Sequence, residues 1–427
     1  MDRLSPLVVS SKGSAMSEDY YTAYLRYAGA GVSEPPIVFH RWGCTSIIGA
    51  LLGRQFSFPF GHSQIFPNQY ITFMGPPGAR KSTAINIAAK LLKGTGYSRF
   101  AADKVSKEKF LLDMNSYDIE TDEDDLAALT LDEPAESFIV AEEFTDFVGS
   151  NNMEFLTTLT KLWDCPDEYK NPKIHGTSAI VNEPTVNILA GNTAQGFALA
   201  FPPEALGNGF LSRMLFIQGE TTGRKVTFPP PPDDLLKEFL VSHLKEIKEK
   251  VKGLATITPI TKLLCDKIYA NFVDIDDSRF KHYSTRRFTH LLKLSLIIAA
   301  SDLRTNVTEE DCLKANTMLH YAETLMPKAL GEFGKSKYAD VANQILDVLN
   351  KAKFPMSMRD LWMKVNKDLS KIQELAEVLR NLQHARKIQI VKVAGKEGFL
   401  PLHSLKSSWD SDLLVPEWLT QEELGIL

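Results

Sequence analysis

The residues with the clearest chemical meaning stand in the segment GPPGARKST, directly after an apolar run at 70–74. Glycines in such a turn let backbone amides face a phosphate group, and a helix that starts directly afterwards adds the partial positive charge of its N-terminus. In P-loops of the pattern GxxxxGK[ST], the lysine contacts the β- and γ-phosphates and the hydroxyl contacts Mg²⁺. The segment therefore predicts binding of ATP and Mg²⁺ by Gly75, Pro76, Pro77, Gly78, Ala79, Arg80, Lys81, Ser82 and Thr83.

Two acidic residues follow a second apolar run, in the sequence FIVAEEF. A carboxylate at the end of a strand beside a P-loop supplies an oxygen ligand to the metal, and a neighbouring carboxylate can orient the attacking water. We expect Glu142 to bind Mg²⁺ together with Ser82, and Glu143 to act on the water. Many ATPases carry Asp at the first of these positions, so Glu142 is a departure.

Three more polar residues stand at the ends of apolar segments. Asn192 ends the run VNILAGN and is predicted to be a polar sensor of the γ-phosphate, with an ordinary turn as the alternative. Arg213 directly precedes the run MLFI; it could reach the ATP of a neighbouring subunit as an arginine finger or form a surface ion pair. Arg286 stands near the start of the helical pattern STRRFTHLLKLS, where an arginine can contact phosphate.

A short polar stretch at 167–178 is typical of a hairpin, because it combines glycine, proline and turn residues. It carries three groups that can bind the phosphates of single-stranded DNA, namely Lys170, Lys173 and His175. The alternative is a hairpin exposed to solvent that has no ligand.

The elements that would position these residues alternate along the chain. Apolar runs at 70–74, 137–141, 185–190 and 213–217 are predicted strands, and helical patterns separate them, which indicates an α/β domain with a parallel sheet. Four prolines at 229–232 predict a stiff connector, and a helical region follows to about residue 330. No apolar run is long enough for a membrane span, and none near the N-terminus fits a signal peptide.

The C-terminal part is predicted to contain three helices, at 338–350, 358–364 and 371–386, followed by a hairpin at 388–402, which is the outline of a winged helix. Residues 335–406 hold 14 Lys and Arg against 7 Asp and Glu, in a chain whose net charge is −5. This local excess favours contact with a nucleic-acid backbone, although winged helices also bind proteins. The acidic, aromatic tail at 409–427 could dock on a neighbour or partner, or could fray.

These observations divide the 427 residues into five parts. We predict a helical N-terminal region at 1–66, an ATPase core at 67–228, a helical lid at 229–334, a winged helix at 335–408 and an acidic tail at 409–427. The four cysteines, Cys44, Cys165, Cys265 and Cys312, are far apart in sequence. This spacing argues against a zinc site and a disulfide framework and fits a reducing cytoplasm.

The order GPPGARKS, VAEEF, AGN, LSR and STRRFTHLLKLS resembles the AAA+ core of hexameric helicases of the minichromosome maintenance type. The resemblance implies an AAA+ fold, with Arg213 as the finger, Arg286 as a second sensor and the 167–178 hairpin facing a central channel. Over about residues 20–330 the chain also resembles an uncharacterised phage and bacterial family of primase-helicase-type ATPases. The segments PPIVFHRW, FPNQYITFMG and KLWDCPDEY carry that second resemblance.

Together these features lead us to expect a hexameric DNA helicase or translocase of phage or plasmid replication, which hydrolyses ATP and acts on single-stranded or forked DNA. Its other partners would be replication proteins, with no membrane contact, and its location would be the cytoplasm of a bacterial host if a phage encodes it. The alternatives are an ATP-switched helicase loader or DNA-binding replication factor that does not unwind, and a DNA-packaging ATPase.

Overall fold

A computed structural model of the chain describes residues 18–115, 134–171, 179–201, 209–275, 277–331, 339–352, 354–369, 371–384, 387–393, 396–401 and 410–425. Within these ranges the protein is a mixed α/β structure with a parallel sheet, as predicted. None of the described helices combines the length and apolar character that a membrane crossing requires. The acidic stretch at 118–136 falls almost wholly outside the described residues.

The N-terminal part contains two helices and a hairpin: α1 (Tyr20–Tyr27), α2 (Ile37–Leu52), β1 (Phe56–Phe60) and β2 (Ser63–Ile65). Helix α2 is buried along nearly its whole length, as is typical of a helix that is apolar on all sides. The sequence predicts a mainly helical region at 1–66 that ends in a loop marked by Pro59, Gly61 and Pro67. The structure instead forms an antiparallel hairpin around that turn, because Phe56 and Phe58 bury their rings in the core.

The central sheet is made of four parallel strands. Along the chain, the part that contains this sheet has the elements β3 (Tyr70–Met74), α3 (Lys81–Lys93), α4 (Lys107–Asn115), β4 (Glu136–Ala141), α5 (Phe144–Val148), α6 (Met153–Leu162), β5 (Glu168–Asn171), β6 (Ala179–Asn182), β7 (Thr185–Asn192), α7 (Ala194–Ala200) and β8 (Met214–Gln218). The strand order is β4–β7–β3–β8. Every residue of β3, β7 and β8 is buried, which follows from a parallel sheet covered on both faces.

The register of the strands decides which residues meet at each edge of the sheet. Met74 lies opposite Asn192 in β7 and Gln218 in β8, and Tyr70 lies opposite Met214. The carboxyl ends of β3, β7 and β8 therefore share one edge, together with the end of β4, which pairs in parallel with β7. The predicted strand positions agree with the structure to within two residues at each end.

A helical region follows the proline run, as predicted. It comprises α8 (Asp234–Lys250), β9 (Gly253–Leu254), β10 (Thr256–Ile257), α9 (Pro259–Ala270), α10 (Ser284–Ser301), β11 (Asn306–Val307) and α11 (Glu309–Ala329). Side chains cap three of these helices: Asp233 caps α8, Thr258 caps α9, and Thr308 with Asp311 forms a capping box on α11. Helices α9 and α11 bring the Sγ atoms of Cys265 and Cys312 to 3.6 Å, although the sequence separates these cysteines widely.

The next part has a hydrophobic core of its own, built on Ile345, Leu361, Leu375 and Phe399 among others. Its elements are α12 (Ala339–Lys351), α13 (Met358–Val365), α14 (Ile372–His384), β12 (Ile388–Val393) and β13 (Lys396–Pro401). Strands β12 and β13 form an antiparallel hairpin, and Met356 bridges to Phe399 through two backbone hydrogen bonds of 3.1 and 2.8 Å. Three helices followed by a hairpin were predicted here.

The C-terminal segment, defined here as residues 410–425, is folded onto its own chain. It contains two short 3₁₀ turns, Ser411–Leu413 and Pro416–Trp418. Asn316 donates to the Leu413 carbonyl at 2.7 Å, and the amide of Val415 donates to the Thr317 hydroxyl at 2.9 Å. The segment packs on α11 and α2 of the same chain, so the expectation of a frayed terminus is wrong for residues 410–425. The expectation that the tail docks on a neighbour or partner stays a prediction.

Two histidines are buried in the main core. Burial lowers the pKa of His40 to about 4 and that of His290 to about 3, because the charged imidazolium loses its hydration. His290 Nε2 lies 3.1 Å from the Ser212 carbonyl, an arrangement that a neutral imidazole satisfies with its N–H. Both side chains are therefore neutral in the folded protein near pH 7.

We expect acid to destabilise the fold through these histidines. Their pKa in the folded state lies below the unfolded value of about 6.5, so the unfolded chain binds more protons and stability falls as the pH drops below about 6.5. At pH 5 each histidine should cost about 2 kcal/mol relative to pH 7. In urea unfolding, His290→Gln should reduce the loss between pH 7 and pH 5 by about that amount.

The matched control is His62→Gln, since His62 is exposed. This variant should keep the pH dependence of the parent. An equal pH dependence in His290→Gln and in the parent would contradict a buried neutral imidazole at position 290.

Candidate nucleotide site

The loop between β3 and α3 turns tightly around two glycines. A Cβ on Gly75 would lie 2.3 Å from the Gly219 carbonyl oxygen, so only glycine fits there. Gly78 has a φ of +86°, in the left-handed region that favours glycine. Helix α3 begins at Lys81 and runs for 13 residues. Strand, turn and helix thus follow one another as the sequence predicted, and the first turn of α3 directs its free amides toward the loop.

Arg80 stands where the pattern GxxxxGK[ST] has its second glycine, so the match to that pattern is incomplete. Its backbone takes the conformation that a glycine would favour, with φ 59° and ψ 32°, at a cost of about 1–2 kcal/mol for an L-residue. The guanidinium forms an ion pair with Glu34. A hydrogen bond from the Val226 amide, and then the Arg80 contact, lower the pKa of Glu34. The strained residue is therefore anchored by a carboxylate outside the loop.

Lys81 lies over the loop that precedes it. Its Nζ donates to the carbonyls of Gly75 at 2.9 Å and Pro76 at 3.1 Å. Burial lowers the pKa of Lys81, and the charge of Glu143 acts in the opposite direction. A lysine held by two carbonyls at the mouth of the loop is placed to move onto phosphate oxygens, which accept stronger, charge-assisted hydrogen bonds.

The two acids after β4 lie beside the first turns of α3. Glu142 Oε1 accepts a hydrogen bond of 3.2 Å from Asn86 Nδ2, one turn beyond Ser82. Glu143 is exposed and close enough to Lys81 to affect its pKa. Among the described residues no three His, Cys, Asp or Glu side chains form a metal-binding group. Ser82 and Glu142 fit Mg²⁺ that takes its other ligands from water and phosphate oxygens, as Mg²⁺ commonly does.

Strand β7 ends between the P-loop helix and the acidic strand. A Cβ on Gly191 would lie 2.5 Å from the Glu142 carbonyl oxygen and 3.5 Å from Lys81 Cβ. The next residue, Asn192, is fully buried, and its Oδ1 accepts from the Thr193 amide at 3.0 Å. Its Nδ2 has no hydrogen-bond partner among the described protein atoms. Because an unsatisfied buried donor is costly, this amide is suited to an oxygen of a bound phosphate.

Arg213 and Arg286 lie elsewhere, at the amino edge of the sheet. Arg213 comes just before β8, whose first residue pairs with Tyr70, so a strand length of about 13 Å separates it from the P-loop edge. Arg213 Nη2 donates to Asp164 Oδ2 at 2.6 Å, and Arg286 Nη1 lies 3.5 Å from Asp164 Oδ1. The prediction that Arg286 contacts phosphate therefore finds no support at the P-loop of its own chain.

Asp164 and Trp163 join the two arginines, and the sequence reasoning gave neither a role. The guanidinium carbons of Arg213 and Arg286 lie 5.5 and 5.9 Å from the Trp163 ring. The guanidinium of Arg213 is nearly buried, whereas the side chains of Arg286 and Asp164 are 36% and 43% exposed. The only available signal was an acid next to a tryptophan in KLWDCPDEY, which does not indicate a partner.

A hairpin is present, but it extends beyond the predicted stretch 167–178, because its second strand β6 begins only at Ala179. Its antiparallel strands β5 and β6 pair Lys170 with Ile180. Lys170 is exposed, and its Nζ forms an ion pair of 2.5 Å with Glu168 on the same strand. The hairpin leads directly into the start of β7, so its base lies at the amino edge of the sheet. Lys173 and His175 lie outside the described residues.

No protein-family model matches this chain, and no curated protein is significantly similar to it. The structure brings Lys81, Ser82, Glu142, Glu143 and Asn192 together at the carboxyl edge of the sheet. It places Arg213, Arg286 and Lys170 at the opposite edge.

The close approach at Gly191 makes a specific prediction. In Gly191→Ala the added methyl would overlap the Glu142 carbonyl, so either the acidic strand or the first turn of α3 has to shift. Since displacements of about 1 Å can reduce a rate by about 100-fold, the ATP hydrolysis that the sequence predicts should fall roughly tenfold to 100-fold in a steady-state assay. Circular dichroism should still show a folded protein.

Gly43→Ala is the control for this substitution. Its methyl would meet Ala88 at 3.4 Å, an ordinary contact, inside helix α2 where alanine is favourable. Hydrolysis in this variant should match the parent. Parental activity in Gly191→Ala would mean that the junction of β7, α3 and the acidic strand does not control catalysis.

Proposed function

We propose that the protein is a ring-forming ATPase of the AAA+ type that couples ATP hydrolysis to movement along DNA during replication. One observation supports it most strongly: Lys81, Ser82, Glu142, Glu143 and Asn192 converge at the carboxyl ends of neighbouring parallel strands. Ligands of open α/β sheets bind at that edge. A lysine, a hydroxyl, two carboxylates and an unpaired amide together fit phosphoryl transfer better than other chemistry.

In this proposal each residue has one task. Lys81 leaves the loop carbonyls to bind the β- and γ-phosphates, and Asn192 donates its unpaired amide hydrogens to the γ-phosphate. Glu143 orients the attacking water and accepts its proton. Ser82 and Glu142 would hold Mg²⁺, which would neutralise charge that develops on the phosphates.

The opposite edge of the sheet carries the argument for a ring. Arg213 and Arg286 share Asp164 at a distance from the P-loop of their own chain, so any contact with nucleotide has to be with that of a neighbour. Arg286 is the more exposed of the two. We assign it the contact with the neighbouring nucleotide, with Arg213 close beside it as the second candidate. A cyclic assembly with head-to-tail interfaces provides this pairing at every subunit.

DNA contact is assigned to two parts of the chain. The hairpin of β5 and β6 carries Lys170, with Lys173 and His175 in the part that connects its strands. The arrangement of α12–α14, β12, β13 and the Met356 bridge supports a winged helix, in a segment rich in Lys and Arg. Because Lys170 is paired with Glu168, the winged helix is the stronger electrostatic site, which favours a DNA-binding loader as the second candidate.

Strand displacement on a forked duplex separates a motor from a loader. We expect the parent to hydrolyse ATP and to unwind the fork. Lys81→Ala should do neither, because the phosphates lose their cation, and Glu143→Gln should bind ATP but nearly stop hydrolysing it. Hydrolysis without unwinding would select the loader, and undiminished turnover in Lys81→Ala would remove the P-loop assignment.

Mixing inactive variants tests whether the arginines act between subunits. Rings that combine Lys81→Ala with Arg286→Ala subunits contain some interfaces with an intact P-loop facing an intact arginine, so part of the ATPase activity should return. Arg213→Ala should behave in the same way if its guanidinium reaches the neighbour. As a control, Lys81→Ala subunits are mixed with Glu143→Gln subunits. Each subunit of such a ring then has a defective nucleotide site, so the mixture should stay inactive. If rings form but no mixture regains ATPase activity, both arginines act only within their own subunit.

A further inference from the structure

A cavity of about 430 Å³ lies next to the P-loop, and four segments of the chain form its walls. They are the start of α2, the end of β8 with the residues after it, helix α11 and the C-terminal segment. Side chains that line it include Val38, Met318, Tyr321, Leu325 and Leu419. A mostly apolar concave site of this size is typical of small-molecule pockets.

The cavity and the P-loop share a wall at the end of β8. Gly219 lines the cavity, its amide donates to the Met74 carbonyl at 2.9 Å, and its own carbonyl packs against Gly75. A molecule with phosphates in the P-loop can therefore extend its other end into this cavity. The chemistry of the walls, with Tyr321 and aliphatic side chains, suits a planar heterocycle with an attached sugar.

The C-terminal segment is fixed at this cavity by a buried ion pair. Arg41 Nε donates to Glu423 Oε1 at 2.5 Å, and neither side chain is more than 4% exposed. The guanidinium of Arg41 also lies 4.5 Å from the Trp418 ring and donates to the Trp418 carbonyl at 3.2 Å. Because an unpaired buried charge is strongly unfavourable, this wall of the cavity is held firmly in place.

Glu422 connects the same segment to the P-loop. Its Oε1 accepts from the Ile37 amide at 2.8 Å, and its Oε2 accepts from Arg224 Nη1 at 2.6 Å. Arg224 in turn donates to the carbonyls of Ser33 and Pro35, on either side of Glu34. Glu34 pairs with Arg80, so the backbone at 33–35 lies between the hydrogen bonds of Arg224 and the ion pair of the strained residue of the loop.

We propose that the C-terminal segment is part of the nucleotide site. It closes the cavity that takes the nucleoside end of ATP, and Glu422 and Glu423 are positioning residues that hold the wall of this cavity. This inference rests on the proposed ATP binding. It assigns to the final residues of the chain a contact that residues 75–83 alone would not predict.

The test compares two ligands that share phosphates but differ in the nucleoside. Isothermal titration calorimetry would measure binding of ATP and of inorganic tripolyphosphate, each with Mg²⁺, to the full chain. In Glu422→Gln/Glu423→Gln the affinity for ATP should fall roughly tenfold or more, about 1.4 kcal/mol, while that for tripolyphosphate changes less than about threefold. The control is Glu417→Gln, an exposed residue of the same segment, which should bind both ligands like the parent.

A second variant keeps every ion pair of the C-terminal segment. It tests whether the cavity takes the nucleoside end of ATP even if the double variant does not fold. Leu325 lines the cavity from α11 and is 42% exposed, so Leu325→Trp should fold and fill the cavity. Leu325→Trp should weaken the binding of ATP but not the binding of tripolyphosphate. Parental affinity for ATP in the folded variants, or an equal loss for both ligands, would overturn the proposal. A parent that binds neither ligand would overturn the proposed function itself.

Discussion

The geometry of the molecule depends on close backbone contacts at the carboxyl edge of the parallel sheet. Gly75 lies against the Gly219 carbonyl, Gly191 lies against the Glu142 carbonyl, and Gly219 lies against the Phe39 ring of α2. A side chain at any of these three positions would separate neighbouring strands or push α2 away. The glycines therefore let the P-loop, the acidic strand, the Asn192 strand and the buried helix meet within reach of one bound molecule.

The sheet also keeps two groups of charges apart. Lys81, Glu142 and Glu143 stand at its carboxyl edge, while Arg213, Arg286 and Asp164 stand at its amino edge. Buried parallel strands are stiff spacers, because their side chains are closely packed. In the proposed ring, a shift of the P-loop edge of one subunit would therefore displace the edge that we assign to its neighbour.

Helix α2 receives the cap of its N-terminus from a distant part of the chain. It begins after Pro36 with no side-chain cap from its own N-terminus, and Glu422 accepts the Ile37 amide instead. A carboxylate at this position also interacts favourably with the helix dipole. Glu422 therefore joins the start of α2 to the C-terminal segment and, through Arg224, to the backbone beside Glu34.

The sequence by itself determined the local structure. Apolar runs of five or six residues predicted the four central strands, and the turn GPPGARKS between strand and helix predicted the loop. These predictions succeed because each of these features depends on residues that are close together in the sequence. This holds for buried strands, for glycine turns and for the periodicity of helices. The hairpin after α2 was missed because Pro59 and Gly61 mark its turn more clearly than its short strands.

Only the tertiary structure decided which distant residues meet. Asp164 with Arg213 and Arg286, Cys265 with Cys312, and Glu34 with Arg80 are pairs separated by 46 to 122 positions. The C-terminal segment reaches Ile37 and Arg41 across more than 380 positions, although its acidic composition suggested only a neighbour or a frayed end. No local pattern specifies such partners, because an ion pair or a cap requires only that a suitable charged group lies within hydrogen-bonding distance in the folded chain. Strand order and the packing of helices fix that place.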